Sequence, residues 1–183
     1  SYASDYRGAL EVDLADGAGR VDIYTGSDDT SVTTRAGSNA YVDASLLDTG
    51  NLFFDGIGNI EAVDVGSLTI DASKDLEGDA ETSSALTGQL TVTTQFGANY
   101  ILNTGTNTTT VTSSGGTGEI NATLLNDNIT LTLNGSSSTV VTNLKGDVVD
   151  TGDGTLDVTT ASVVPDGGVS VTTGFADTTI TGT

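Results

Sequence analysis

The chain has 183 residues, of which 36% are hydrophobic and only 5% aromatic, and its five basic and 25 acidic residues leave a net charge of −20. Such a chain lacks the basic side chains that neutralise nucleic-acid phosphates or hold a protein on an anionic membrane surface. It also has no Cys, His, Met or Trp, which excludes disulfides, zinc sites of the usual ligand types and nucleophilic catalysis of the Ser-His or Cys-His kind.

Short β-prone runs follow one another along the chain, separated by Gly, Asn, Asp and Ser. Most of them alternate apolar with polar residues, which is typical of strands with one buried face. In the first half these runs lie at 10–14, 21–24, 31–34, 41–44, 51–54, 60–65 and 67–70. In the second half they lie at 90–93, 100–102, 110–112, 120–124, 129–133, 140–142, 148–149, 156–159 and 169–172. No stretch has a convincing helix period, and no apolar run is long enough for membrane insertion.

The spacing of these runs predicts the fold class. Their centres recur roughly every 10 residues, and alternate runs resemble each other, as in the coils of a two-strand solenoid. One such series is Val92, Val111 and Leu131, and a second is Ile101, Ala122, Val140 and Val158. We therefore predict an all-β parallel β-solenoid of the β-roll or β-helix type with short strands. The alternative is one or more β-sandwiches.

Residues 1–183 are predicted to form a single elongated repeat domain. The regular spacing of the β-prone runs is interrupted at 72–86. We interpret this segment as an inserted loop or short helix, or as a junction between two sub-domains. Pro165 marks a second irregular point, because proline cannot donate to a sheet ladder. The absence of Met indicates a processed chain or a fragment of a longer protein.

Three passages give the chain a resemblance to a known group of proteins. They are the Gly-Ile-Glu segment followed by alternating valines at 56–65, the Asp/Gly passage at 150–158 and the Thr/Gly/Asp passage at 169–183. In these passages the chain resembles the repeat regions of calcium-dependent bacterial surface proteins: RTX-type β-rolls, surface-layer proteins and large adhesins. The resemblance implies a secreted or cell-surface protein that calcium stabilises.

Calcium is the cofactor that the acidic residues suggest, since it takes six to eight oxygen ligands from carboxylates and carbonyls. The candidate ligands fall into clusters: Asp16 with Asp22, Asp28 with Asp29, the group Asp147, Asp150, Asp153 and Asp157, and a further set at Asp75, Glu77 and Asp79. The alternative is that these acids are solvated turn residues, which Asp favours because it bonds nearby backbone N–H groups.

Two further patterns concern the exposed faces. Thr91/Thr93, Thr110/Thr112 and Thr130/Thr132 are expected to stack on one face, either as an ice-binding array or simply because β-branched Thr suits exposed strands. Candidate glycosylation sites of the Asn-x-Ser/Thr type are Asn107, Asn121, Asn128 and Asn134.

These observations together favour a non-enzymatic structural protein of the microbial cell surface, such as a surface-layer, adhesin or extracellular filament subunit. A β stack with open ends must cap them or pair them with another copy. We therefore expect self-association into a lattice or filament, with no nucleic-acid partner. The alternatives are an adhesin-type binding module for glycan or ice, and a β-helix domain that acts on polysaccharide.

Overall fold

The computed structural model describes residues 8–74, 85–126, 129–135, 137–142, 147–150, 154–160, 170–174 and 176–181. All regular secondary structure in these ranges is β-strand. The strands are β1 (Leu10–Asp13), β2 (Gly19–Tyr24), β3 (Thr30–Thr34), β4 (Ser38–Asp43), β5 (Leu52–Gly56), β6 (Asn59–Val65), β7 (Thr69–Asp71), β8 (Leu90–Thr94), β9 (Tyr100–Asn103), β10 (Thr109–Thr112), β11 (Thr117–Ala122), β12 (Thr130–Asn134), β13 (Ser137–Thr142), β14 (Asp147–Asp150), β15 (Leu156–Thr160), β16 (Ser170–Thr172) and β17 (Thr178–Thr181).

The strands form two parallel sheets. The odd-numbered strands build a nine-stranded sheet in chain order, and the even-numbered strands build an eight-stranded sheet. Because the chain alternates between the sheets, one strand from each makes a rung, and every rung lies on the one before it. The predicted parallel β-solenoid is therefore confirmed. The β-sandwich alternative is wrong, since the named strands pair in parallel throughout.

The register corrects the two residue series expected from the sequence. In the eight-stranded sheet Val92 pairs with Val111 and Val111 with Leu133, whereas Leu131 lies two positions away, beside Thr109. Turns of unequal length cause this slip. In the nine-stranded sheet Val140 and Val158 do follow each other, but the earlier members of their column are Leu102 and Ile120.

Neither Ile101 nor Ala122 belongs to that column. Leu102 pairs with Ile120, and Ile120 pairs with Val140. Ile101 is 45% exposed, because neighbouring residues of a strand face opposite sides and a shift of one position exchanges inside for outside. Ala122 is buried, two positions after Ile120 and thus in the next inward column.

The core is a thin layer of aliphatic side chains between the two sheets. Phe54 is the largest fully buried side chain. Where a larger group enters, a small one faces it: the buried Tyr100 pairs with Gly118, and a Cβ on Gly118 would overlap the Tyr100 ring. A narrow core of this kind accounts for the low aromatic content of the chain.

Asparagine side chains link successive rungs at the strand starts. Asn39 Oδ1 accepts the backbone N–H of Asn59 at 3.1 Å, and Asn59 Oδ1 accepts that of Gln89 at 2.9 Å. In the other sheet Asn51 Oδ1 accepts the N–H of Thr69 at 2.9 Å. These amides satisfy backbone donors at the corners that the sheet ladders leave open.

Both sheets continue across the irregular segment that was expected at 72–86. β6 pairs with β8, and β7 pairs with β9. Asn39 and Asn59 are 20 residues apart, whereas Asn59 and Gln89 are 30 apart, so this rung carries about ten additional residues. Residues 75–84, with the candidate ligands Asp75, Glu77 and Asp79, lie outside the described ranges.

Asp71 and Lys74 stand at the start of this irregular segment. The buried Asp71 accepts hydrogen bonds from Ser73 and forms an ion pair with Lys74, Nζ to Oδ2 2.9 Å. Burial raises the pKa of Asp71, but the hydrogen bonds from Ser73 and Lys74 outweigh burial and leave this pKa below its ordinary value.

Candidate functional site

A shallow groove of about 390 Å³ crosses the outer face of the eight-stranded sheet at β2, β4, β6 and β8. Two columns of side chains line it. The first column is Arg20, Asn39, Asn59 and Gln89, and the second is Tyr41, Glu61 and Thr91. We call this surface the amide groove. Each column advances by one residue per rung, so the lining repeats at the strand spacing of about 4.8 Å.

A charged cluster lies at one end of the amide groove. The Arg20 guanidinium lies 4.5 Å from the centre of the Tyr41 ring. Its Nε is 3.1 Å from Asp22 Oδ1, and its Nη1 is 3.7 Å from Glu61 Oε2. The hydrogen bond to Asp22 raises the pKa of Arg20, and burial, together with Asp43 and Glu61, raises the pKa of Tyr41. The guanidinium is therefore charged and the phenol protonated at neutral pH.

Three of the four predicted metal ligands near the first rungs accept hydrogen bonds from other residues. Asp16 is exposed in the turn before β2, and Asp22 bonds Arg20. Asp28 and Asp29 lie together beside a depression with Thr49 and Gly50. Asp28 Oδ1 is 3.3 Å from Thr49 Oγ1, and Asp29 Oδ1 accepts the N–H of Asn51 at 2.8 Å. Both bonds therefore reach the neighbouring rung and not the backbone of the same turn.

The second group of candidate ligands is divided between the two sheets. Asp150 is 4% exposed and lies in the inward column of the eight-stranded sheet, paired with Leu133. Asp147 begins the same strand, whereas Asp157 is exposed on the nine-stranded sheet. Asp153 lies outside the described residues. In the ranges that the structure describes, no three acidic side chains come close enough together to hold a metal ion.

The candidate glycosylation sites differ in accessibility. Asn121 is exposed, with Oδ1 accepting the N–H of Thr123 at 3.2 Å. Asn107 is half-buried, and its Nδ2 donates to the carbonyl of Thr87 at 2.9 Å. Asn134 is half-buried at the end of β12, and Asn128 lies outside the described residues. A glycan on Asn107 would be attached to the same Nδ2 atom that donates to Thr87.

The threonines stack on the outer face of the eight-stranded sheet, as expected, but Thr130 does not pair with another threonine. Thr91 pairs with Thr110 and Thr110 with Thr132, whereas Thr93 pairs with Thr112 and Thr112 with Asn134. Thr130 pairs with Asp147 on the next rung. The row formed by Thr91, Thr110 and Thr132 is followed by Glu61 on one side and by Val149 on the other. The array therefore spans three strands.

The outermost rungs that the structure describes leave core side chains partly uncovered. Ile180 follows Val158 in an inward column of the nine-stranded sheet, yet it is 56% exposed, whereas Val158 is 1% exposed. On the eight-stranded sheet Val171 packs against the core but is only partly buried. At the opposite end Leu10 and Val12 are likewise partly buried.

Sequence reasoning did not find the amide groove. Its residues come from four strands and become neighbours only through the register. The signal available in the sequence was the period of roughly 20 residues. Aligning the runs at this period places Arg20, Asn39 and Asn59 together.

The fold and its surfaces define the chain as a two-sheet parallel β-solenoid, in which stability comes from contacts between successive rungs. No family model, curated protein or solved structure matches the chain. Within the part of the chain that the structure describes, no helix has the length and apolar character needed to span a membrane.

Proposed function

We propose that the chain is a non-enzymatic structural protein of the microbial cell surface or extracellular space, which self-associates by adding the rungs of one copy to those of another. The solenoid supports this proposal because its strands all run in parallel. The last strand of one copy can then extend the first strand of the next in the same direction. A head-to-tail contact of this kind builds open filaments.

The observation that carries the proposal is the exposure of Ile180. It stands in a column whose earlier members, Leu102, Ile120 and Val158, are at most 1% exposed. A further rung would bury Ile180 as its predecessors are buried. The partly buried Leu10 and Val12 of β1 offer an apolar surface on a second copy.

Charge opposes this association. Two copies with a net charge of −20 each repel one another, and salt screens that repulsion between charges farther apart than a Debye length, about 10 Å at 0.1 M. We therefore propose that calcium or high salt promotes assembly by neutralising acidic side chains. Loss of calcium is expected to shift the filament toward single copies.

Sedimentation velocity at rising NaCl concentration, with and without CaCl2, tests the proposal. The wild-type chain should form longer species as salt rises, and Ile180→Asp should remain a single copy, since a buried unpaired charge costs several kcal/mol. Ile57→Asp is the matched control, because Ile57 is also 56% exposed but lies between β5 and β6. A wild-type chain that stays monomeric in all conditions would contradict the proposal.

A further inference from the structure

We propose that the amide groove is a binding site for a neutral polysaccharide chain that lies along the solenoid axis. This inference does not depend on self-assembly, because the groove lies on the outer face of the eight-stranded sheet, and that face stays uncovered when rungs are added at β2, the end strand that carries Arg20. It rests on a row of fixed donors, a facing row of oxygen atoms and the spacing between rungs.

The donors are the side-chain amides of Asn39 and Asn59. Each uses its Oδ1 to accept the backbone N–H of the following rung, at 3.1 and 2.9 Å. This bond fixes the plane of the amide. Among the described residues neither Nδ2 has a hydrogen-bond partner, so two N–H₂ groups are held one rung apart. Donors whose orientation is already fixed lose little side-chain entropy when a ligand binds.

The facing column presents oxygen atoms from Tyr41, Glu61 and Thr91. Glu61 is held by its contact with Arg20, and the Tyr41 ring is held by the guanidinium at 4.5 Å. A sugar hydroxyl both donates and accepts, so it can bridge an amide of one column and an oxygen atom of the other. The aromatic ring adds an apolar contact for the C–H face of a sugar.

Spacing and charge select the class of ligand. Successive rungs are about 4.8 Å apart, which is close to the length of one sugar unit. A chain along the axis therefore meets one amide and one oxygen atom at each of three rungs, although the oxygen atoms belong to different side chains. Asp22 and Glu61 beside the groove, and the net charge of −20, disfavour anionic ligands. A neutral polyhydroxyl chain satisfies both conditions.

The test is binding of the wild-type chain to an array of neutral oligosaccharides of four or more units, with cellohexaose and mannohexaose titrated by calorimetry. Asn59→Asp keeps the oxygen that accepts the Gln89 N–H but removes the amide donor. It should weaken binding about three- to tenfold, as expected for one hydrogen bond. Tyr41→Phe removes only the hydroxyl and should weaken binding by a similar factor.

Asn51→Asp is the matched control. Asn51 Oδ1 also accepts a backbone N–H of the next rung at 2.9 Å, but on the other sheet, so this variant adds the same charge outside the groove and should bind like the wild type. The inference is overturned if no neutral oligosaccharide on the array binds or if only anionic glycans bind. It is also overturned if Asn51→Asp weakens binding as much as Asn59→Asp.

Discussion

The close stacking of rungs at Gly58 gives the sharpest prediction about stability. A Cβ at this position would overlap the carbonyl oxygen of Ser38 and lie 3.0 Å from Thr34 Cβ. Ordinary carbon contacts are about 3.5–4.0 Å, so the two rungs must separate locally. Gly58 has no left-handed backbone angle, so the penalty of Gly58→Ala comes from this overlap and not from the backbone conformation.

Separating the rungs also disturbs the buried hydroxyl of Thr34. Its Oγ1 accepts the N–H of Gly58 at 3.0 Å and lies within 3.2 Å of the carbonyls of Asp55 and Gly58. Loss of one buried hydrogen bond costs about 1–3 kcal/mol, and overpacking costs about 1–3 kcal/mol. We therefore expect Gly58→Ala to lower the free energy of unfolding by about 2–6 kcal/mol.

Urea unfolding followed by circular dichroism measures this loss. Gly66→Ala is the control, because the nearest atom to a Cβ there is Gln95 Oε1 at 3.9 Å. That variant should change the free energy of unfolding by no more than about 1 kcal/mol. Equal midpoints for Gly58→Ala and Gly66→Ala would refute the close stacking of rungs.

Three further variants test the core and its polar groups. Phe54→Ala should cost about 3–5 kcal/mol in the same urea assay, whereas Phe96→Ala, at a side chain 90% exposed, should cost little. Thr30 is fully buried and its Oγ1 has no hydrogen-bond partner among the described residues, so Thr30→Val should raise the melting temperature, and a lower melting temperature would contradict this. Because the folded pKa of Asp71 is lowered from 3.8, its stabilisation is present above that pH and is lost as the pH falls through the folded value. The difference in urea midpoint between wild type and Asp71→Asn should therefore shrink in acid, and a pH-independent difference would contradict the lowered pKa of Asp71.

The fold class could be predicted from the sequence because alternation and spacing are local signals. The register could not, because rungs differ in length. Leu102 and Ile101 are both aliphatic neighbours, and only the stacking of Leu102 on Ile120 decides which faces the core. In the same way Leu131 and Leu133 are both buried, and the turn lengths before β12 decide which of them follows Val111.

The candidate sites were harder to predict, because proximity along the chain is not proximity in the solenoid. Asp150 and Asp157 are seven positions apart, yet one faces the core and the other is exposed on the opposite sheet. Asn39 and Asn59 are 20 residues apart and in contact. The acidic turns could be recognised in the sequence as candidate metal ligands. The groove formed by Arg20 and these amides could be recognised only from the register of the strands.

Distances between spin labels test the stacked rungs most directly, since the chain has no native Cys. Glu11 and Asn121 lie in one column of the nine-stranded sheet, five strands apart, and Thr159 lies two strands further. At about 4.8 Å per strand, labels at 11 and 121 should be about 24 Å apart, and labels at 11 and 159 about 10 Å further. Distances that do not grow with the number of intervening strands would contradict the parallel solenoid.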